Sequence, residues 1–533
     1  MKVKTLPFLF VIVATMLLIT ACSDKEDNAE NQANEENLEN VNESGMPIVD
    51  EPITLDFFVG LNPGVEGDLN EISSMRQYTE MSNININWEE IAYDSVEEKR
   101  NLALASGSLP HAFYGANLPP SDIFKYAKQG TFIKLDDLIE EHAPNLKKIL
   151  EEYPDVRKAI TYPDGNIYSL PYLRSPDFIS AQAFPLMYFN RESLDTVGME
   201  KPETTEEFYQ YLKAIKEENP EITPFGSTGM YTLIGWLEGS FGLGNNRGSL
   251  IDKDSEGNLR FKPITDNYKK MLEYVNKLYT EGLIDKSIYT IEWNQYLANA
   301  AEGKYASTVF YDPTTVLGEK AGEIFESAIP LAGPNGDQQL TLTTYVFNIG
   351  TFVITNTNEN PVATIKWADY FYSDEGAKLR FMGEEGVSFE ETSDGEFELT
   401  EQITNNPDGL KTEEALRRHA HYLTPLPDPG IQKQKYFKGS ETAPTALEAV
   451  EKIEPYLSDE RGLPPFTFTE EENRKLPAIA TDISKYVDEM QAKFITGDIP
   501  FSEWDNYVET LKQMNLDEYM EIQNDALERF ENN

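Results

Sequence analysis

Side chains able to do covalent chemistry are few in this chain, and they fall in no catalytic spacing. Four histidines, His111, His142, His419 and His421, are spread over 533 residues, none in a His-Glu-x-x-His arrangement, the spacing by which a helix sets two imidazoles and a base around zinc. His419 and His421 are close, but residues two apart on a helix point away from each other. The chain has no Gly-x-Ser-x-Gly turn, no phosphate-cradling Gly-x-x-x-x-Gly-Lys loop and no Gly-x-Gly-x-x-Gly after a strand-like run. With 92 acidic side chains, carboxylate pairs occur at every spacing, so a glycosidase dyad has no signature here. One metal-like stretch, "DKDSEGNLRFKP" from Asp252, matches half a calcium loop through Asp252, Asp254, Glu256 and Gly257. Its twelfth position is Pro263 where a bidentate glutamate is required, so a hairpin with a tight Gly turn is the simpler expectation. The residues therefore predict no metal, no cofactor and no catalytic group.

The single cysteine, Cys22, lies in "LLITACSDKEDN", where an apolar run gives way to an acidic stretch. Lys2 and Lys4 precede "LPFLFVIVATMLLIT", which is long enough for a signal-peptide core and short for a membrane span of about 20 apolar residues. Ile19-Thr20-Ala21-Cys22 resembles a bacterial lipobox, in which the cysteine sulfur takes a diacylglyceryl group and becomes the mature N-terminus. The expectation is a signal peptide over 1–21 and a protein anchored by lipid at the extracellular face of the cell membrane, two acyl chains being enough for stable attachment. Residues 22–50 are then the acylated cysteine and a polar, highly charged tether of the composition that stays disordered. The formal charge of −47 argues against a nucleic-acid partner.

The elements that must position any site follow from periodicity. "PITLDFFVG" reads as a strand ending at Gly60, "NININW" alternates Ile84, Ile86 and Trp88 as a half-buried strand does, "VEEKRNLALASGSLP" reads as a helix stopped by Gly107, and "HAFYG" as a further strand. This rhythm predicts α/β construction on a largely parallel sheet. Thr204 and Glu207 form a capping box ahead of the stripe Phe208, Leu212 and Ile215. Asp266 is the expected cap of a helix with Met271, Val275 and Leu278 inside and Gly282 as its stop, and Ser502 that of a helix with Trp504, Val508 and Leu511 inside. About 480 residues beyond the tether exceed one simple core, so two lobes or more are expected.

What recurs at the predicted strand ends is aromatic and amide residues beside Gly and Pro: "FVGLNPG", "FYGANLPP", "LPYLRSPDF", "LIGWLEGSFGLG", "TVFYDPTT" and "LTTYVFNIG". Such loops gather at the carboxyl ends of an α/β sheet, where ligands bind. Sugars suit that lining, because their C–H faces stack on rings and their hydroxyls need fixed donors and acceptors.

In order along the chain, "SGSLPHAFYG", "TYPDGNIYSLP", "PLMYFNRESLDTVGMEKPETTEEFYQYLKAIKEENP", "AAEGKYASTVFYD", "WADYFYSDEGAKLRFMGEEGVSFE" and "KFITGDIPFSEWDNYVETLKQMNLDEYMEI" resemble family 1 extracellular solute-binding proteins, the receptors of carbohydrate ABC importers. The nearest subgroup is similar to the large lipoprotein receptors of Gram-positive bacteria and to alginate-oligosaccharide-binding proteins, and more distantly to maltose-binding protein. The resemblance implies a two-lobed periplasmic-binding-protein-like (type II) α/β fold, with ligand between lobes joined by crossing strands. It places 51–175 and 345–388 in the N-terminal lobe and 176–344 and 389–533 in the C-terminal lobe. The first crossing is expected near Tyr172–Ser180, the second near Thr343–Gly350, and a third after "EEGVSFE". By the same resemblance Asn62 and Tyr114 line the cleft from the first lobe, Trp236, Tyr311 and Asp312 from the second, and Tyr172, Arg174 and Tyr345 lie by the hinge. Alginate-type relatives carry a calcium loop after the helix that here ends "AIKEENPEITPFG"; this chain has a short Glu-Glu-Asn-Pro-Glu turn instead, so no calcium is expected there. The implied function is a monomeric receptor that passes an oligosaccharide to an ABC permease. A surface-anchored lyase or glycosidase, and a receptor for a non-sugar solute, stay open.

Overall fold

The computed structural model describes residues 38–532, apart from 64, 66, 67, 245–248 and 319–321. Cys22 and the expected signal segment lie outside the described residues. The expected tether is corrected where it overlaps them. Val41 and Val49 form an antiparallel bridge, Ile48 and Val49 are buried in a core, and their N–H groups donate to the Ser82 carbonyl. Residues 38–50 are thus folded onto the body, because Val41, Ile48 and Val49 supply apolar area that the rest of the stretch lacks.

The chain then runs through β1 (Ile53–Gly60), β2 (Ile84–Ile91), β3 (Ala112–Tyr114) and β4 (Leu170–Arg174), with helices between. It crosses to a second body containing β5 (Leu186–Asn190), the hairpin β6 (Ile251–Lys253) and β7 (Leu259–Phe261), β8 (Ser307–Phe310) and β9 (Phe325–Ser327). It returns as β10 (Val346–Ile354), adds the hairpin β11 (Phe389–Glu391) and β12 (Phe397–Leu399), and reaches β13 (Gly430–Gln432). Later helices include Glu470–Thr496 and Leu516–Asn532.

In the larger sheet the order is β13-β4-β10-β3-β1-β2. β1 is parallel to β2 and β3, β13 is parallel to β4, and β10 runs antiparallel between β3 and β4. The carboxyl ends of five strands therefore share one edge, and β10 enters from that edge. Both faces of this sheet are covered: Phe57 and Val59 lie in one core, and Phe58 with Phe113 in another on the opposite side, the pattern of a sheet sandwiched by helices. The smaller sheet, β8-β5-β9, is antiparallel with Leu186 opposite Phe310. The start of β5, where the first crossing arrives, and the end of β8 thus lie together.

Local expectations meet the structure unevenly. The helix Val96–Ser106 ends at Gly107 with φ 75°, and Thr204 and Glu207 close their capping box. Asp266 is not the cap of its helix: the side chain of Thr265 accepts from the Tyr268 N–H. Ser502 sits inside a 3-10 turn, and the helix beginning at Trp504 follows Glu503 without a side-chain cap. "DKDSEGNLRFKP" is the β6–β7 hairpin, with Asp252 accepting from Arg260 Nε at 2.7 Å and from the Gly244 N–H, and Asp254 closing the turn on the Glu256 and Asn258 N–H groups.

One large core gathers residues from β1, β3, β4 and β10 with Trp367 and Phe371. Another gathers Phe208, Leu212, Trp236, Met271, Val275, Val487, Phe494 and Trp504. These are the two lobes. Phe389, Phe397, Ile431, Tyr436 and Phe437 pack in the first core, whereas the expected boundary placed everything from 389 in the second lobe. The cause is β13, which pairs with β4 and keeps the chain on the first lobe until Ala449 and Ile453 pack beside Leu186 and Tyr188.

Candidate functional site

On the first lobe the shared strand edge carries loops held by the backbone they touch. Asn62 follows β1; its N–H donates to the Thr424 carbonyl and its Nδ2 to the carbonyls of Pro425 at 2.8 Å and Leu423 at 3.3 Å. Its amide donors thus fix the loop. Beyond β2, Tyr93 is exposed. Beyond β3, the Ala116 and Asn117 carbonyls accept from Arg100 Nη1. A Cβ on Gly350 in β10 would collide with the Leu118 carbonyl, so glycine lets that loop lie against the crossing strand.

At the crossing three side chains stack. The Tyr172 ring on β4 meets the Phe347 ring on β10 edge-on at 5.5 Å, and the Arg174 guanidinium lies 4.5 Å from the Phe347 centroid. Arg174 Nη1 donates to the Ala181 carbonyl at 2.5 Å. Phe347 is 40% exposed. An exposed ring braced by a cation and a second ring is a rigid apolar platform. Tyr345 is half-buried, between the Tyr153 ring at 5.6 Å and the Arg461 guanidinium at 5.4 Å.

Beneath the crossing lies a buried polar cluster. Asp428 accepts from the Tyr114 hydroxyl and pairs with Arg380, and these two charged groups are 1% and 2% exposed. The Arg380 guanidinium lies 4.8 Å from the Tyr172 ring. His421 Nε2 is 3.7 Å from Asp428, while its Nδ1 meets Ser74 Oγ at 3.2 Å; burial, then the neighbouring Arg380, holds this imidazole well below its usual range. His419 meets a different serine, Ser73, at 2.9 Å, so the two histidines do not converge. Among the described residues no cluster of His, Cys, Asp and Glu is arranged to hold a metal.

On the second lobe, Phe184 precedes β5, Phe310 ends β8 and Tyr311 follows it. Their rings, with Trp293, form a string: Phe184 to Tyr311 4.5 Å, Tyr311 to Phe310 6.0 Å, Phe310 to Trp293 5.6 Å. A pocket of about 470 Å³ opens beside it, lined by Phe184, Tyr311, Tyr231, Tyr268, Asp488 and Gln491 among others. Tyr231 is 65% exposed. Glu238 and Lys262 also line it as a buried ion pair. Lys262 Nζ donates as well to the Gly244 carbonyl at 3.1 Å. Burial pushes the Glu238 carboxyl up while Lys262 pulls it back. Partial desolvation by the pocket walls also raises Asp488, which stays open to solvent.

Of the residues expected to line a cleft, Asn62, Tyr172, Arg174, Tyr311 and Tyr345 sit at the strand edge, the crossing or the pocket. Tyr114 and Trp236 do not: Tyr114 is fully buried on Asp428, and Trp236 packs at 5.6 Å against Phe208 in the second core. Asp312 is buried and accepts from the hydroxyls of Thr314 and Thr445, which ties β8 to the last crossing. Phe347, Tyr231, Trp293, Phe184 and Asp488 escaped sequence reasoning. Phe347 lies inside the quoted strand-end motif "LTTYVFNIG", which was the available signal, and Phe184 directly precedes the quoted segment that begins at Pro185.

A strand-edge site facing an aromatic second lobe invites comparison with known families. The model for bacterial extracellular solute-binding proteins matches residues 68–378, well over half of the chain. The chain belongs to this family. Among similar solute-binding proteins is the fructooligosaccharide ABC transporter substrate-binding protein FusA of Streptococcus pneumoniae serotype 4, 27% identical over 551 residues and covering all of both chains. The polygalacturonan/rhamnogalacturonan-binding protein YtcQ of Bacillus subtilis is 28% identical over 215 residues, 40% of this chain and 41% of its own. The structure of S. pneumoniae FusA with kestose superposes with a TM-score of 0.75 at 26% identity, covering 90% of this chain and 99% of that one. The alginate-binding protein AlgQ2 without calcium shares the fold, with a TM-score of 0.70 at 22% identity over 90% of this chain and 98% of its own. This solute-binding protein therefore has the two-lobed periplasmic-binding-protein-like architecture.

Proposed function

We propose that this chain captures an oligosaccharide between its lobes outside the cell and delivers it unaltered to the permease of an ABC importer. The observation that carries the reading is the set of exposed rings on both sides of the crossing, Phe347 and Tyr93 from the first lobe and Tyr231 and Trp293 from the second, with the half-buried Tyr311 beside them. The likeness to FusA, whose name gives fructooligosaccharides as its ligand, makes short fructans the first sugars to try. Arg174 supports the reading as a brace for Phe347, and Asn62 as the fastener of the loop after β1.

The lobes divide as 38–175 with 345–437, and 176–344 with 449–532, so that crossings fall after β4, before β10 and between Phe437 and Ala449. Ligand touching both lobes favours the closed form by its extra contacts there, and closure is the signal the permease reads. Acylation of Cys22 would hold a monomer at the membrane; no helix among the described residues is long and apolar enough to cross one. Glu238 and Asp488 line one pocket, which is what favours the second reading, a glycosidase. Glu238 is committed to Lys262, which suits a binding wall better than a proton donor.

The test is a thermal-shift screen of the body without its N-terminal segment against kestose, nystose, oligosaccharides of xylan, mannan, pectin and alginate, and a mixture of short peptides, followed by chromatography of the recovered ligand. Stabilisation by a sugar that returns intact is expected. Cleaved product would establish the enzyme, and stabilisation by peptides alone would defeat the sugar reading.

A further inference from the structure

The relatives' names span neutral and acidic saccharides, and the second-lobe pocket carries a carboxylate, Asp488, that bears on the choice between them. We propose that Asp488 is a specificity-determining residue, whose carboxylate makes this protein select neutral oligosaccharides and reject those carrying uronic acids. The proposal rests on the oligosaccharide-receptor reading and deepens it.

Asp488 lies on the helix Glu470–Thr496 and lines the same cavity as the Phe184, Tyr231 and Tyr311 rings. A sugar stacked on those rings presents its equatorial hydroxyls to the walls. Asp488 is exposed and has neither hydrogen bond nor ion pair among the described residues, so both carboxylate oxygens are open to accept from hydroxyls. Hydrogen bonds of hydroxyls to a carboxylate are charge-assisted and stronger than neutral ones.

The same oxygens oppose a ligand carboxylate. Lys262, the one cation among the described lining residues, is already committed: its Nζ serves Glu238 and the Gly244 carbonyl, and its side chain is 3% exposed. Neighbouring Gln491 has turned its Nε2 to the Tyr268 hydroxyl at 2.5 Å. A uronate entering this cavity therefore meets Asp488 with its charge uncompensated by the described residues of the wall. Two like charges about 6 Å apart, at an effective dielectric of about 40 for a half-open pocket, weaken binding roughly tenfold.

The experiment compares kestose with kestose whose primary hydroxyls have been oxidised to carboxylates, a matched pair differing in charge, by titration calorimetry at low salt. If another neutral sugar in the screen binds more tightly, the pair is made from that sugar. The wild-type protein is expected to bind the neutral member at least tenfold more tightly. In Asp488→Asn the neutral sugar binds several-fold more weakly, because its charge-assisted hydrogen bonds are lost, while the gap between the two sugars narrows by about tenfold; in Asp488→Lys the preference narrows further or reverses. Asp488 is exposed, so these variants keep the wild-type melting temperature. Equal binding of both sugars by the wild type, or a gap that Asp488→Asn leaves in place, overturns the proposal and leaves the receptor reading standing. Binding of no saccharide by the wild type overturns both.

Discussion

Replacing Arg380 by methionine tests whether the cluster under the crossing is structural. Arg380 and Asp428 are both almost fully buried, and the guanidinium is the one counter-charge pressed directly on the Asp428 carboxylate, whose other close donor is the Tyr114 hydroxyl. Methionine keeps much of the arginine stem's volume, so the loss comes from stranding a carboxylate and not from opening a cavity. Breaking a buried pair from one side costs about 3–5 kcal/mol. Asp428→Asn strands the cation instead, at similar cost, since Arg380 Nε and Nη1 already lack partners. The double variant Arg380→Met/Asp428→Asn leaves no bare charge and is expected to cost no more than the worse single change. That gives a coupling of at least ~2 kcal/mol in a double-mutant cycle. The assay is hydrogen exchange under increasing urea, read on peptides covering β4 and β13, so that the first lobe is followed by itself. A cost below ~1 kcal/mol for Arg380→Met, or additive single effects, would refute the argument.

Tyr114→Phe removes a hydrogen bond to a buried carboxylate and is predicted to lower first-lobe stability by about 1.5–3 kcal/mol, with sugar affinity unchanged in calorimetry. Phe347→Ala does the converse: it leaves urea stability within ~0.5 kcal/mol, the range of ordinary surface changes, and weakens sugar binding roughly tenfold by removing a stacking face. Burial raises Asp369 to about 6 against the pull of the Asn145 and Leu146 N–H groups. This acid is therefore protonated more in the folded than in the unfolded state between about pH 4 and 6, and its cost to folding is absent below that window and complete above it. Two units correspond to about 3 kcal/mol. Relative to Asp369→Asn, the wild type should lose about that much stability from pH 4 to pH 7 in urea titrations; a flat difference profile would show the carboxyl titrating normally.

Much of the framework was legible because local rules and tertiary packing agree. Ile84 and Ile86 alternate as read, and Thr204 caps as read. The second core draws on all three helical stripes seen in the sequence, and the first on the alternating Ile84 and Ile86. The site was less legible. "HAFYG" shows an aromatic beside glycine at a strand end, but helices cover both faces of this sheet, so Phe113 and Tyr114 are each buried on opposite sides and alternation offers no exposed position. On β10 the chain has left the helices' cover and parity matters again: Val346 is buried and Phe347 is not. Arg380 and Asp428 lie 48 positions apart with no periodic link, and Asp488 is one acid among 92. Pairing created by the fold, as with β13 against β4, also moved the boundary that the resemblance had set at 388.

The segment 153–161 of the first lobe has a mechanical consequence. Tyr153 touches Tyr345, which Arg461 covers. Lys158 Nζ donates to the Glu531 carbonyl at 2.9 Å and lies 5.8 Å from the Phe530 ring, and the Thr161 carbonyl accepts from Thr467 at 2.9 Å. A swing that kept these contacts would have its pivot along that flank, and the mouth would gape on the far side. Spin labels flanking the pivot should then keep their spacing when sugar is added, while labels beside Tyr93 and Tyr231 draw together.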